Sequence, residues 1–154
     1  MKRARARNGG FTLIELMITV AILAIVMSLA VGSYRQYLRR AGRVDATSAL
    51  LRLASAQEKF YAQNGQYASA AEMTAPPPAG LGIEGTERGY YALAIAIAAA
   101  GAATGFTATA TVDPASGQAD DTDCWVFGIT ERGSRTAQAQ NGDSGAAVVD
   151  RCWR

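Results

Sequence analysis

Glu15 is a carboxylate set inside an apolar run. From Phe11 to Val31 the chain has 21 residues interrupted only by Thr12, Glu15, Thr19 and Ser28, long enough to cross about 30 Å of hydrocarbon as a helix. An ionised carboxylate in such a helix costs about 2.5 to 3.5 kcal/mol on insertion scales, so it belongs opposite a partner rather than lipid. If the chain is cut between Gly10 and Phe11, the new amine of Phe11 lies within about one turn of Glu15, and the same pair can form between neighbouring chains. The chemistry is electrostatic docking: a chain that joins an assembly exchanges an unpaired charge for an ion pair. The alternative is a secretory signal, with Lys2, Arg3, Arg5 and Arg7 as its basic region and Ser28-Leu29-Ala30 as a small-x-small cleavage site. In that reading Glu15 opposes insertion and has no role.

Other chemistry is sparse. The chain contains no histidine, which removes the commonest general base and the commonest metal ligand. No phosphate-binding glycine loop or catalytic triad is visible, so the sequence gives no basis for an enzyme or a cofactor. Cys124 and Cys152 lack the C-x-x-C spacing of a zinc or redox site and read as a disulfide, with two buried free thiols as the alternative. A disulfide requires an oxidising compartment, and closing a loop of this length stabilises the domain by about 3 to 4 kcal/mol in the chain-entropy model. Asp120, Asp121 and Asp123 form an acidic cluster without the glycine-centred spacing of an EF-hand. A solvated turn and a calcium site are its two readings.

Charge bears on partners. The formal net charge is +2, but four of the 15 basic residues lie in the first ten positions, and the remaining 11 face 13 acidic residues. Without that stretch the balance is −2, which removes support for nucleic acid binding from bulk charge. Glu131-Arg132 and Arg135 are the local candidates for touching DNA or a partner chain, without a dense basic stripe or interleaved aromatics. Arg35, Arg39, Arg40 and Arg43 follow the apolar run as a solvated or headgroup-facing collar, or as ion-pair partners of neighbouring chains. They balance the four basic residues before the run, so the positive-inside rule does not set orientation. A disulfide does, by placing the C-terminal part outside the cytoplasm.

The elements that carry these groups follow from periodicity. Leu50, Leu53, Ala54, Phe60 and Tyr61 recur at helical spacing, with Asp45, Arg52 and Lys59 seven apart on another face, and Asn64-Gly65 is a stop signal. Run together, Phe11 to Gln63 gives one helix about 80 Å long. Pro76-Pro77-Pro78 and the glycines at 80, 82, 85 and 89 make residues 65–89 a surface connector. The period then becomes two: Tyr91, Leu93, Ile95 and Ile97, and after a glycine-containing turn Phe106, Ala108, Ala110 and Val112, read as an antiparallel hairpin. Trp125, Phe127 and Ile129 mark a third strand beside Cys124, and Ala146 to Arg151 forms a fourth strand or a simple return. Trp125 and Trp153 read as core or edge anchors.

Gly10-Phe11-Thr12-Leu13-Ile14-Glu15-Leu16, behind a short basic leader and ahead of an apolar helix, resembles the class III leader of type IV pilins and pseudopilins. Tyr34-x-x-Tyr37-x-Arg39-Arg40 and Leu50-Leu51-x-Leu53-Ala54-x-x-Gln57-Glu58-x-Phe60-Tyr61-x-x-Asn64-x-x-Tyr67 look like minor pilins of the PilE type. One departure is Gly32, where many family members carry proline, so a helix kink is not dictated. Glycine still weakens the helix by about 1 kcal/mol relative to alanine.

The resemblance implies an α+β pilin fold: a long N-terminal helix on a small antiparallel sheet, with a disulfide-bounded loop that holds residues 133–145 at the exposed edge. It implies a leader over 1–10, a transmembrane and assembly helix over 11–35, and a globular domain over 36–154, with helix 36–63, connector 64–89 and sheet and disulfide loop 90–154. It implies cleavage between Gly10 and Phe11 by prepilin peptidase, methylation of the Phe11 amine, and an assembly role for Glu15. Partners would be other pilin subunits, the peptidase and the inner-membrane assembly platform. The chain would sit in the inner membrane with its C-terminal domain in the periplasm, then in the extracellular pilus. The role implied is a minor pilin supporting assembly, adhesion or twitching motility. A major pilin, a type II secretion pseudopilin and a DNA-uptake pilin are the alternatives.

Overall fold

The computed structural model describes residues 10–154, so Lys2, Arg3, Arg5, Arg7 and the rest of the expected leader up to Gly9 lie outside the described residues. The first helix, α1, spans Leu13–Asn64. Thr12 caps it, its hydroxyl accepting the Glu15 N–H at 3.2 Å, which satisfies one of the unpaired donors of the first turn. Gly65 ends it: with φ at +70° it takes the left-handed conformation that a side chain disfavours, and its N–H closes on the Tyr61 carbonyl at 2.8 Å. The chain divides into two compact units, Met1–Tyr37 and Leu38–Arg154.

The first unit, over its described residues, is the N-terminal part of α1. It holds an apolar window long and apolar enough to cross a membrane, with mean hydropathy 2.6 and none of the window buried. Leu13, Leu16, Val20, Leu23, Met27 and Tyr34 are each more than half exposed. An apolar surface of this extent around a helix requires lipid or protein to cover it.

The second unit is built on one core. Four strands follow the connector: β1 (Tyr91–Ile97), β2 (Phe106–Val112), β3 (Val126–Thr130) and β4 (Arg135–Gln138), paired antiparallel in the order β1-β2-β3-β4. Ala46, Leu50, Leu53 and Phe60 of α1 join Tyr91, Ile95, Phe106, Ala108, Ala110, Val112, Phe127 and Ile129 of the sheet in a single buried cluster. Burying each large side chain contributes about 1.5 to 3 kcal/mol. Small Ala108 and Ala110 on the inward face of β2 leave room for the leucines of the helix.

Two expectations for the C-terminal third are corrected. Ala146–Cys152 is a helix, α2, rather than a fourth strand or a simple return, with Val148 and Cys152 buried. The fourth strand is instead Arg135–Gln138, inside the stretch expected to be an exposed loop. Thr130-Glu131-Arg132-Gly133-Ser134 turns the chain back, Gly133 at φ +72° and its N–H bonded to the Thr130 carbonyl at 2.9 Å. This allows the pairing Gly128↔Thr136, where β4 gains backbone hydrogen bonds that its polar composition does not advertise.

Candidate functional site: assembly segment and helix clamp

In the first unit, Gly10 and Phe11 are exposed and precede α1, and Phe11 is 86% accessible. Glu15 stands exposed in the first turn of α1, where a negative charge meets the positive end of the helix dipole. Thr12-Leu13-Ile14-Glu15 also has the residue order of a capping box. The sequence-defined groups thus lie together at one helix start, with Glu15 making no ion pair among the described residues.

The second unit fixes its part of α1 with buried polar groups. Arg43 and Asp121 pair in a two-point fork: Nε donates to Oδ2 at 2.6 Å and Nη2 to Oδ1 at 2.8 Å. Both are buried, at 8% and 1% exposure. Burial pushes the Arg43 guanidinium down, while the hydrogen bond and the charge of Asp121 outweigh it and hold the cation above its ordinary value. Gln118 Nε2 completes the group, donating to Asp121 Oδ2 at 3.0 Å and to the Arg39 carbonyl at 2.9 Å. On another side of the helix, Asp45 accepts the Arg88 N–H at 3.1 Å and the Tyr90 N–H at 3.3 Å, which ties α1 to the start of β1.

The arginine collar and the acidic cluster are therefore not uniform. Arg40 is exposed and Arg39 half-buried, its Nη1 donating to the Asp120 carbonyl, whereas Arg43 is a core residue. Asp120 and Asp123 are exposed, but Asp121 is not part of a solvated turn, and both its oxygens are occupied by Arg43 and Gln118. No spacing rule joins positions 43 and 121. The single available signal was that an arginine at the buried helical phase of Ala46 and Leu50 must find an anion.

Cys124 and Cys152 form a disulfide with their Cα atoms 5.7 Å apart, and both are buried. It fastens α2 beside β3. Trp153, the residue after Cys152, packs edge-on to Phe127 at 6.0 Å, donates its indole N–H to the Thr136 carbonyl at 2.8 Å, and carries the Arg135 guanidinium 4.9 Å from its ring centre. Of the residues weighed for DNA or partner contact, Arg132 pairs with Glu131 at 3.3 Å and Arg135 stacks on Trp153.

The chain thus combines an exposed apolar helix segment that has a carboxylate in its first turn with a helix-on-sheet domain closed by a C-terminal disulfide. Residues 5–31 match the prokaryotic N-terminal methylation motif, and residues 32–128 match the family described as type IV minor pilin ComP, DNA uptake sequence receptor. The chain belongs to this family of type IV pilins. Similar proteins include the fimbrial protein EcpC of Eikenella corrodens, 32% identical over 65% of this chain and 61% of its own. A fimbrial protein of Dichelobacter nodosus is 36% identical over 58% of this chain and 53% of its own. The type IV major pilin protein PilA of Myxococcus xanthus is 37% identical over 44% of this chain and 30% of its own. The alignments thus span less than two thirds of these relatives. A solved type IV pilin from Shewanella oneidensis is 23% identical, covers 63% of this chain and 89% of its own, and superposes with a TM-score of 0.44.

Proposed function

We propose that the chain is a minor pilin. It is held in the inner membrane by residues 11–35, with the leader 1–10 in the cytoplasm and the domain 36–154 in the periplasm. Prepilin peptidase cuts between Gly10 and Phe11, and the amine of Phe11 is methylated. The assembly platform then moves the subunit into the pilus, where Glu15 pairs with the Phe11 amine of a neighbouring subunit and sets axial position. Helix–helix contact replaces lipid, so the exposed apolar surface stays covered throughout. The work is structural, supporting assembly, adhesion or twitching motility.

The observation that carries this reading is Glu15 in the first turn of a helix that begins two residues after Phe11, with an apolar exposed window behind it. Quantitative mass spectrometry of sheared surface filaments tests the stoichiometry: a small fraction of the main subunit supports a minor pilin, and dominance makes the chain the major subunit. The methylation-motif match over residues 5–31 supports the processing step.

A second reading, a pilin that captures DNA for uptake, is favoured by the description of the family matched by residues 32–128. Its test is binding of duplex DNA by the full chain in detergent at rising salt. Affinity that falls steeply with salt supports this role; no binding at 50 mM salt removes it.

A further inference from the structure

Arg43 touches both sides of the disulfide. Its fork holds Asp121, three residues before Cys124, and its remaining nitrogen, Nη1, donates to the carbonyl of Arg151, the residue before Cys152, at 3.4 Å. One guanidinium on α1 therefore bridges the two chain segments that the Cys124–Cys152 bond joins. The segments have little else in common near this point: Arg151 reaches Asp123 at 3.6 Å, with both side chains about half exposed, so that pair contributes little. Val148 and Cys152 seal α2 onto the core beside them.

We propose that Arg43 couples the seating of α1 to the oxidation state of the disulfide. With the bond closed, α2 stays against the core, the Arg151 carbonyl stays in reach, and the Arg43–Asp121 pair remains buried with its donors engaged. With the bond open, α2 is held by its own short apolar face, by Trp153 and by the exposed Arg151–Asp123 pair. The Arg151 carbonyl departs, water reaches the pair, and the clamp on α1 weakens. Reduction by a dithiol reagent is a two-electron exchange: a thiolate of the reagent attacks one cysteine sulfur to form a mixed disulfide, and the other cysteine leaves as a thiolate that takes a proton; the reagent's second thiolate then attacks the reagent's own bound sulfur, and the first cysteine leaves as a thiolate that takes a proton, giving two protein thiols and an oxidised, cyclic reagent. Linkage makes the effect reciprocal: whatever a closed bond does for the Arg43 contacts, those contacts do for the bond. A subunit would then present a firmly clamped helix only after oxidation. This regulation is independent of whether the filament role is minor, major or DNA-capturing.

The test is the thiol–disulfide equilibrium of the full chain in detergent micelles. The chain is equilibrated with defined ratios of reduced and oxidised dithiothreitol, quenched by alkylation and read by mass. Arg43→Met is expected to shift the equilibrium toward the dithiol by about tenfold or more, the scale of one hydrogen bond to a charged group. Arg43→Lys, which keeps the charge but loses the fork, falls between Arg43→Met and the parent. Arg52→Met, which removes the exposed pair with Glu87, leaves it unchanged. If Arg43→Met does not fold, Arg43→Lys and Asp121→Asn carry the test by the same readout. An equilibrium within twofold of the parent in every folded Arg43 and Asp121 variant would overturn the proposal.

Discussion

Gln57 reads the backbone of Ala68 as a second strand would. Its Nε2 donates to the Ala68 carbonyl and its Oε1 accepts the Ala68 N–H, each at 2.8 Å, with both residues fully buried. This side chain pins the first part of the connector to α1. Without it, a buried N–H and a buried carbonyl lose their partners together. Replacing Gln57 with Leu is expected to cost about 2 kcal/mol or more, measured by urea denaturation of the full chain in micelles. A loss below about 0.5 kcal/mol, the scale of an ordinary surface change, contradicts that account.

Gly42 and Gly32 share a helix and differ in surroundings. A methyl on Gly42 would overlap the amide of Gln118, which is buried and fixed by bonds to Arg39 and Asp121, whereas nothing lies within 4 Å of a methyl on Gly32. Helix propensity favours alanine by about 1 kcal/mol at both positions. Gly32→Ala is therefore expected to raise helicity in circular dichroism, and Gly42→Ala to lower the melting temperature. A stabilised Gly42→Ala protein would show that Gln118 yields without cost.

Tyr91 is buried against Phe127, and its hydroxyl has no hydrogen-bond partner among the described residues. Burial first, and the charge of Asp121 second, push its pKa up. A folded value raised above the unfolded one gives stability that is present below the ordinary tyrosine range and lost as pH rises beyond it. Tyr91→Phe is expected to be more stable than the parent by about 1 kcal/mol at neutral pH and to lose less stability above pH about 10. Equal alkaline losses in the two proteins would place the titrating group elsewhere.

At Glu72 the sign is opposite. The backbone N–H of Ser69, then its hydroxyl, donate to the Glu72 carboxylate at 2.7 and 2.9 Å and hold its pKa below the usual range. The resulting stability is present above the unfolded carboxylate value and lost as pH falls through the folded one. Glu72→Gln is expected to flatten the acid limb of the stability curve while leaving the alkaline limb unchanged.

Much of the fold was legible because local signals and the fold agree. Asn64-Gly65 gave the end of α1, and the alternations from Tyr91 and Phe106 gave the first two strands within a residue. The region after Ser134 was not, because Arg135-Thr136-Ala137-Gln138 lacks β-branched alternation and is a strand only through its pairing with β3. Ala146 to Arg151 read as a fourth strand or a simple return, yet the segment is a helix that starts after Gly145 and ends at the tethered Cys152. Gly10, Phe11 and Glu15, the residues of the proposed processing and assembly steps, stand close together in the sequence. Arg43 and Asp121 do not, and their pairing across the fold leaves no trace in spacing.

Under the proposed function, Glu15 acts in assembly and not in processing. Glu15→Ala is expected to leave leader removal intact and to abolish recovery of the chain in sheared filaments, whereas a bulky residue at Gly10 leaves the leader attached. Normal incorporation of the Glu15→Ala chain would remove the ion-pair mechanism.

The most direct measurement is mass spectrometry of the N-terminal peptide of this chain in purified surface filaments. The account predicts a peptide that begins at methylated Phe11, at a small fraction of the main subunit. A chain that retains residues 1–10, or a cleaved chain confined to the membrane and absent from filaments, would contradict it.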